Sequence, residues 1–317
     1  MEVEGTGRDL EAPAREVTGN EMKELLAGGL RLRGRDFSVE ELEWIRELVA
    51  SSPARHRSAL SRLICERLGW VQPNGRLKDQ ACRAVLLHLH RAGYLTLPPP
   101  RQLRVLRRPT VLSERTAPRL PFPVEPREVR REHFTVVSGS PDRSLNALWN
   151  EFVERYHYLG RRLLVGPQMK YLVEVRGQPI ACLGFGGAAW KVEARDRWIG
   201  WTPAQREKNL RYIINNVRFL ILPWVQVKNL ASRFLSLAVR RVPDDWERRY
   251  AYRPVLIETF VETARHRGTC YQAANWVCAG ETKGRGKMDR YNLALLPRKV
   301  TYLYPLRADF RACLTAM

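Results

Sequence analysis

The sequence predicts an α/β protein of the α+β type, with a helical N-terminal domain (residues 21–97) and a mixed-sheet C-terminal domain (residues 134–317). Three observations predict this. Apolar residues recur at helical spacing in the first part, and strand-like apolar runs alternate with amphipathic segments in the last. Between them, residues 98–133 are dense in proline and arginine, which favours an extended, semi-rigid linker. Residues 1–20 have no periodicity and predict a disordered tail.

The charge of the chain is strongly positive. Lysine and arginine total 54 against 33 acidic residues, a formal net charge of +21, which is more than solubility requires. No apolar run approaches the ~20 residues of a membrane-spanning helix, and neither end carries a lipidation signal. We therefore expect nucleic acid, and no membrane, as the polyanionic partner. The alternative is an arginine-rich exterior without a partner, as in heat-adapted proteins.

The cysteines and the N-terminus concern location. The six cysteines are scattered without a CxxC pair, which argues against both a zinc ribbon and a disulfide framework. The chain opens on acidic and polar residues where a secretory signal needs a basic start and an apolar stretch. A cytoplasmic location is therefore expected.

The N-terminal domain has the element order of a winged helix-turn-helix. Ser38 and Glu41 predict a capping box at the start of a first helix. Residues 58–68 and 77–91 predict two further helices, and residues 94–97 a short strand. The third helix would then lie in a major groove. Its candidate DNA contacts are Arg76, Lys78, Gln80 and Arg83. The alternative is a three-helix module that packs against the rest of the protein or a partner.

The linker leaves two interpretations open. Its arginines can follow a phosphate backbone, or they can simply keep the segment solvated.

The C-terminal domain alternates strands and helices. A helix is predicted first, then a hairpin, a buried strand, a loop, a long helix, a strand, a short helix and a strand. In order these are residues 145–156, the strands 171–175 and 179–185, and then residues 218–223, 224–229, 230 to about 241, 254–261, 268–274 and 276–279. The succession of strand, loop and helix N-terminus favours anion binding.

Several long motifs in this domain resemble one known family. They are Tyr156-His-Tyr-Leu-Gly, Arg195-Asp-Arg-Trp-Ile-Gly-Trp, Asn215-Asn-Val-Arg-Phe-Leu-Ile-Leu-Pro-Trp-Val, Asn229-Leu-Ala-Ser, Ile257-Glu-Thr-Phe-Val and Gly268-Thr-Cys-Tyr-Gln-Ala-Ala-Asn-Trp. Over about residues 140–290 they resemble the DruA family of Druantia anti-phage systems. Members of that family accompany defence islands and transposon-borne genes, so the resemblance implies a role related to DNA. It does not fix the chemistry.

The element order also resembles the acyl-CoA acetyltransferase superfamily. In that superfamily the loop before the long helix follows a Gln/Arg-x-x-Gly-x-Gly/Ala pattern, whose backbone amides hold pyrophosphate. Here the loop reads Gln226-Val-Lys-Asn-Leu-Ala231, so Gln226, Asn229 and Ala231 are the candidate cofactor-binding residues. A side chain at Asn229 would crowd a close phosphate, which makes a CoA derivative the less favoured cofactor.

Three residues are candidates for a catalytic centre. His157 lies between two tyrosines, and histidine suits proton transfer near neutral pH. Asp196 lies among arginines, where it serves either a site or an ion pair. Glu258 is the one charge in an apolar strand and needs a partner or a function. Together they suggest a hydrolytic site for Mg²⁺ or Mn²⁺. The other catalytic candidates, taken from the motifs above, are Tyr156, Tyr271 and Asn275.

A glycine-rich basic stretch, residues 280–287, lacks the Gly-Lys-Ser/Thr ending of a phosphate loop. It favours a mobile arm on a phosphate backbone, with Trp276 or Tyr291 stacking on an unpaired base; a solvated loop is the alternative. The candidate contacts are Lys283, Arg285, Lys287 and Arg290, together with Lys228 before the long helix.

The leading hypothesis is a DNA-binding protein of a bacterial anti-phage defence system or a mobile element, whose C-terminal domain cleaves or modifies DNA. A metal-dependent nuclease and an acetyltransferase-like modifying enzyme are the two enzymatic forms. One alternative is an acyl-CoA-type transferase acting on a base or a protein. Another is a non-catalytic adaptor for a helicase or transposase.

Overall fold

A computed structural model of the chain describes residues 30–100, 110–164, 166–284 and 297–316. The chain divides between Leu106 and Arg107 into two compact units, each described by itself below.

The first unit packs a short hairpin and three helices around one apolar core. Strands β1 (Leu30–Leu32) and β2 (Arg35–Phe37) pair antiparallel. Helices α1 (Val39–Ser51), α2 (Arg57–Arg67) and α3 (Asp79–Arg91) follow. The predicted helices are confirmed, and so is the capping box of α1. The buried side chains of the core include Leu42, Ile45, Leu60, Ile64, Val85 and Leu89.

The strand predicted for residues 94–97 is wrong. Leu95 and Leu97 are buried in the core but belong to no strand. Their backbone is held instead by His90, whose Nδ1 lies 3.2 Å from the Leu95 carbonyl oxygen and 3.4 Å from the Leu97 nitrogen. The apolar alternation therefore reflects burial beside α3. The winged form of the helix-turn-helix stays a prediction.

The second unit is built on a seven-stranded mixed sheet, which confirms the α/β class. The strands are β3 (Phe134–Val136), β4 (Gln168–Val175), β5 (Gln178–Gly187), β6 (Ile213–Ile221), β7 (Leu256–Glu262), β8 (Val277–Glu281) and β9 (Lys299–Pro305). Their order across the sheet is β3-β4-β5-β6-β7-β9-β8. The β6–β7 pair is parallel and the other pairs are antiparallel. The β4–β5 hairpin turns at Arg176 and Gly177, both of which have positive φ, as predicted.

Six helices accompany this sheet in the described residues: α4 (Arg143–Tyr156), α5 (Glu193–Ile199), α6 (Pro203–Asn209), α7 (Leu230–Tyr250), α8 (Thr269–Ala273) and α9 (Phe310–Thr315). Two of them cover opposite faces. Lys170 donates to Asn146 and Asn150 of α4, while its neighbour Tyr171 donates to Asp245 of α7. Successive residues of a strand point to opposite faces, so α4 and α7 sandwich the sheet between them.

Helix α7 is longer than its sequence predicts. The predicted end was about Arg241, yet the helix continues through Pro243 to Tyr250. Val242, Pro243 and Trp246 are all buried. Because this stretch lies in the core, packing outweighs the helix-breaking tendency of the proline.

The predicted linker does not behave as a free tether over residues 110–133. Thr116 and Val129 are fully buried. The Phe122 N–H donates to the Trp224 carbonyl at 2.8 Å, and the Tyr156 hydroxyl donates to the Thr116 carbonyl at 2.7 Å. This segment therefore belongs to the second unit. Its few apolar residues, which alternate with the prolines, pack into the core of that unit. Residues 101–109 lie outside the described residues.

None of the helices described here is long and apolar enough to cross a membrane.

Candidate functional site

A buried ion pair lies at the centre of the predicted catalytic region. Arg195 on α5 contacts Glu258 on β7, Nη1 to Oε2, at 2.8 Å, and both side chains are fully buried. Residue Ala189 completes the pair: its N–H donates to Glu258 Oε1 at 2.7 Å and its carbonyl accepts from Arg195 at 2.8 Å. Burial raises the pKa of Glu258, and the nearby Arg195 guanidinium offsets only part of that increase. Breaking such a pair exposes an uncompensated buried charge.

The same arginine also holds Asp196. Oδ1 of Asp196 accepts from Arg195 Nε at 2.9 Å and from Trp201 Nε1 at 3.0 Å. Its Oδ2 accepts from the Val192 N–H at 3.3 Å and lies 3.5 Å from Arg206. Both carboxylates of the predicted site are therefore brought together, but through a guanidinium that occupies the space between them.

The three residues of the suggested metal site do not converge in the part of the chain that the structure describes. No three His, Cys, Asp or Glu side chains in it come close enough to hold a metal ion. The lone pairs of Asp196 and Glu258 are used by arginine, indole and backbone donors. His157 follows α4 instead, among the groups described next.

His157 has the environment of a structural histidine. Its Nδ1 accepts from the Leu159 N–H at 3.2 Å, and its ring stacks on Tyr158 at 4.9 Å between centroids. Burial lowers the pKa of His157 to about 4, with further contributions from Arg218 and His266. A ring with so low a pKa, and with Nδ1 already accepting a hydrogen bond from its own loop, is a weak general base.

The other three catalytic candidates do not converge on this region. The Tyr156 hydroxyl donates to a backbone carbonyl, as described above. The Tyr271 hydroxyl donates to Asn216 Oδ1 at 3.0 Å, its ring stacks on Tyr302, and burial raises its pKa. Asn275 is exposed and has a φ of 62°, in the left-handed region that asparagine tolerates.

Strands β6 and β7 diverge immediately beyond Glu258. They pair from Ile213 with Leu256 to Asn215 with Glu258 and then separate. The Thr259 hydroxyl donates to the Asn216 carbonyl at 3.0 Å across the opening. One side-chain hydroxyl therefore bridges the strands just beyond the end of their pairing.

The loop before α7 does not fit a CoA pyrophosphate. Asn229 has a φ of 66°, so the backbone adopts the glycine-like conformation but keeps a side chain there. Gln226 Nε2 bonds to the Pro223 carbonyl, and Ala231 lies in the first turn of α7. A pocket of 750 Å³ beside the loop is walled by residues 121–125. That segment is fixed to the loop by the hydrogen bond from the Phe122 N–H to the Trp224 carbonyl, so it covers the side of the loop where the pocket lies.

The candidate DNA contacts of the first unit lie at the start of α3. Arg76 and Gln80 are exposed, and Lys78 occupies the N-cap position without a side-chain capping bond. Arg83 Nη2 pairs with Asp79 at 3.0 Å. Within the described residues, the side chains of Arg76 and Lys78 have no acidic partner; Arg76 is exposed and Lys78 is partly exposed.

The candidates of the second unit are only partly placed. Lys228 is exposed in the loop before α7, and Lys283 pairs with Glu193 at 2.5 Å. Trp276 is 4% exposed, so it is too buried to stack on a base. Three further basic candidates and the second stacking candidate lie outside the described residues: Arg285, Lys287, Arg290 and Tyr291.

Sequence reasoning missed two cations on the α4 face of the sheet, the half-buried Lys170 and the buried Arg218. Lys170 Nζ bonds to Asn146 and Asn150, and the Arg218 guanidinium bonds to the Gly160 carbonyl. Each is a basic residue within a largely apolar strand: Met169 and Tyr171 flank Lys170, and Val217 and Phe219 flank Arg218. The signal that selected Glu258 would have selected them too.

The fold and this region define a two-unit α+β protein whose motif residues form a buried arginine–carboxylate network rather than an open metal centre. The chain belongs to the DruA family: residues 89–314 match the family described as Druantia protein DruA. No curated protein matches it.

Several solved structures are similar in part to this chain. The aminoglycoside acetyltransferase AAC(6')-Ib in complex with coenzyme A and kanamycin is 15% identical with a TM-score of 0.30, over 44% of this chain and 66% of that one. An N-acetyltransferase from Staphylococcus aureus Mu50 is 16% identical with a TM-score of 0.29, over 44% and 68%. The CoA-dependent acyl-homoserine lactone synthase MesI is 12% identical with a TM-score of 0.29, over 54% and 85%. The match thus spans just under two thirds of the first of these enzymes.

Proposed function

We propose that this chain is a DNA-binding protein of a bacterial anti-phage defence system of the Druantia kind, or of a related mobile element. Membership of the DruA family supports the setting. The formal charge of +21 supports a polyanionic partner.

The observation that carries the proposal is the unpaired positive charge at the start of α3. Arg76 and Lys78 precede the helix, and Gln80 is exposed in its first turn. The opposite stripe of α3, with Cys82, Val85 and Leu89, is buried in the core. A helix fixed by its apolar side and basic at its N-terminal end can present these side chains to base edges and phosphates.

The second unit supports an adaptor better than a nuclease. The two carboxylates that the sequence singles out are both committed to Arg195, so they are not available to activate water. The loop before α7 does not support a CoA-dependent transferase either. We propose that this unit binds a partner of the helicase or transposase type while the first unit binds DNA.

The test compares duplex-DNA binding by the full wild-type chain with binding by its Arg76→Gln/Lys78→Gln variant. We expect affinity for duplex DNA at low salt to fall about 10-fold or more, since each change removes one phosphate or base contact. The matched control is Arg127→Gln/Arg130→Gln, which removes two exposed arginines from the second unit. Equal affinity of the α3 variant and wild type would overturn the proposed interface.

A further inference from the structure

Two basic side chains lie in one row across the sheet, on the face covered by α4. Lys170 of β4 is opposite Gly184 of β5, and Gly184 is opposite Arg218 of β6. Directly opposed residues of a sheet share a face. The glycine between the two cations leaves a gap that the indole of Trp149 fills, because a Cβ at Gly184 would meet that ring at 3.1 Å.

The Lys170 ammonium is held without any carboxylate. Its Nζ donates to Asn146 Oδ1 at 3.0 Å and to Asn150 Oδ1 at 3.1 Å, and it lies 4.6 Å from the centre of the Trp149 ring. Burial lowers the pKa of Lys170 to about 8, with Arg161 adding to the effect. The described residues thus supply oxygen dipoles and a π face here, but no compensating charge.

A cavity of 350 Å³ is lined by both asparagines together with Arg143 and Arg161, and the asparagine oxygens connect it to the Lys170 ammonium. An ammonium group only donates, so the asparagine oxygens must face it. Their amide nitrogens are left as donors, and neither has a hydrogen-bond partner within the described ranges. Arg161 is anchored through Thr110, whose hydroxyl lies 3.3 Å from its Nη1.

Arg218 positions the segment that carries Arg161. Its Nε and Nη2 donate to the Gly160 carbonyl at 3.1 and 3.0 Å. The Arg161 N–H in turn donates to Glu154 at 2.6 Å. The backbone beside the cavity is therefore fixed from both sides.

One carboxylate, Glu151, is among the lining residues of this cavity. Its Oε2 accepts from the Ser113 N–H at 3.1 Å, the Ser113 hydroxyl at 2.7 Å and the Thr116 hydroxyl at 3.4 Å. It is thus turned toward the segment around residue 113, so the space beside Lys170 keeps an excess of positive charge and N–H donors.

We propose that this cavity binds a phosphate group through the amide nitrogens of Asn146 and Asn150 and the guanidinium groups of Arg143 and Arg161, while the Lys170 ammonium, bonded to both asparagines, orients them and adds positive charge. Converging N–H donors and cations in a concave site are the chemistry that recognises phosphate oxygens. The inference deepens the proposed function, on which it rests for the choice of a nucleotide phosphate. The phosphate comes either from the backbone of a nucleic acid or from a free nucleotide.

The test is isothermal titration of the full chain with AMP, adenosine and a 12-nucleotide single-stranded DNA that lacks terminal phosphates. We expect AMP to bind and adenosine not to. Asn146→Asp, an exposed change that replaces an N–H donor by an acceptor, should weaken AMP binding at least 10-fold. The matched control is Lys208→Met on α6, which removes an exposed lysine elsewhere and should leave binding unchanged.

The number of protons taken up on AMP binding gives a second test, because a lysine with a purely structural role would not change it. An anion bound beside Lys170 favours the charged ammonium, so AMP binding at pH 8 should take up a fraction of a proton. Titrations in two buffers of different ionisation enthalpy measure it, and Lys170→Met should abolish it. Asn146→Asp keeps the test decisive if Lys170→Met does not fold.

The arms separate the sources and the failures. Weakening of AMP alone by Asn146→Asp indicates a free nucleotide, whereas weakening of the oligonucleotide as well indicates a backbone phosphate. Absent duplex-DNA binding with intact, Asn146-dependent AMP binding refutes the proposed function but not this site. Three outcomes refute the site. Neither AMP nor the oligonucleotide binds, adenosine binds as tightly as AMP, or Asn146→Asp leaves the binding of AMP and of the oligonucleotide unchanged.

Discussion

The guanidinium of Arg195 and the carboxylate of Glu258 meet at 2.8 Å with both side chains fully buried. The contact joins α5 to β7 across 63 residues of sequence. Ala189 supplies both a donor and an acceptor to the pair, so its hydrogen bonds are nearly complete. We interpret these residues as the internal brace of the second unit.

Glu258→Gln should strongly destabilise the second unit, because it leaves Arg195 with one charge partner fewer in the core. Breaking a buried pair costs about 3–5 kcal/mol, and the remaining contact with Asp196 favours the lower end. Urea unfolding measures the change. Glu247→Gln, which breaks an exposed pair with Arg253, is the control and should cost less than about 1 kcal/mol. Similar losses for the two variants would contradict the brace.

Gly184→Ala should destabilise the protein by about 1–3 kcal/mol, since the new methyl overpacks a filled space. Its Cβ would meet Trp149 at 3.1 Å and the Arg218 Cβ at 3.3 Å. Gly187→Ala on the same strand is the control, because a Cβ there meets nothing within 4 Å. The midpoints of thermal unfolding distinguish them, and equal midpoints would show that the sheet face is not closely packed.

The folded-state pKa of His157, about 4, should make stability fall in acid. Between pH 6.5 and 4 the His157 ring is protonated in the unfolded chain but stays neutral in the folded one. The free energy of unfolding therefore decreases as pH falls. After screening by solvent we expect about 1–2 kcal/mol. His157→Asn, whose oxygen can still accept from Leu159, should lose less stability over this window. Identical pH profiles for variant and wild type would contradict the assignment.

Tyr156→Phe should cost about 1–2 kcal/mol, because it leaves the carbonyl of the buried Thr116 without its donor. Tyr212→Phe, which removes the hydroxyl bonded to exposed Arg211, is the control and should change little. Chemical unfolding of both variants checks this. A neutral Tyr156→Phe would mean that residues 110–133 contribute little to the second unit.

Most elements of the fold can be predicted from local sequence signals. The capping box at Ser38 and the turn at Arg176-Gly177 depend on neighbouring residues, so the sequence predicts them directly. Strands β3 and β9 were missed because they are stabilised by pairing with distant strands. The end of α7 was misplaced because burial of Pro243 is a tertiary effect.

The site was half predictable for the same reason. A lone charge in an apolar strand correctly indicated that Glu258 has a partner. That the partner is Arg195, and not a metal ion, depends on how α5 docks beside β7, which no local pattern specifies. The row of Lys170 and Arg218 likewise exists only through the register of three strands.

The central claim is that the basic residues at the start of α3 contact DNA phosphates. Its most direct test is the salt dependence of duplex-DNA binding. The logarithm of the association constant should fall linearly with the logarithm of salt concentration, with a slope of about −0.9 for each phosphate contacted. Arg76→Gln/Lys78→Gln should make that slope shallower by about 1–2. No binding at low salt, or binding that does not change with salt, would contradict this claim.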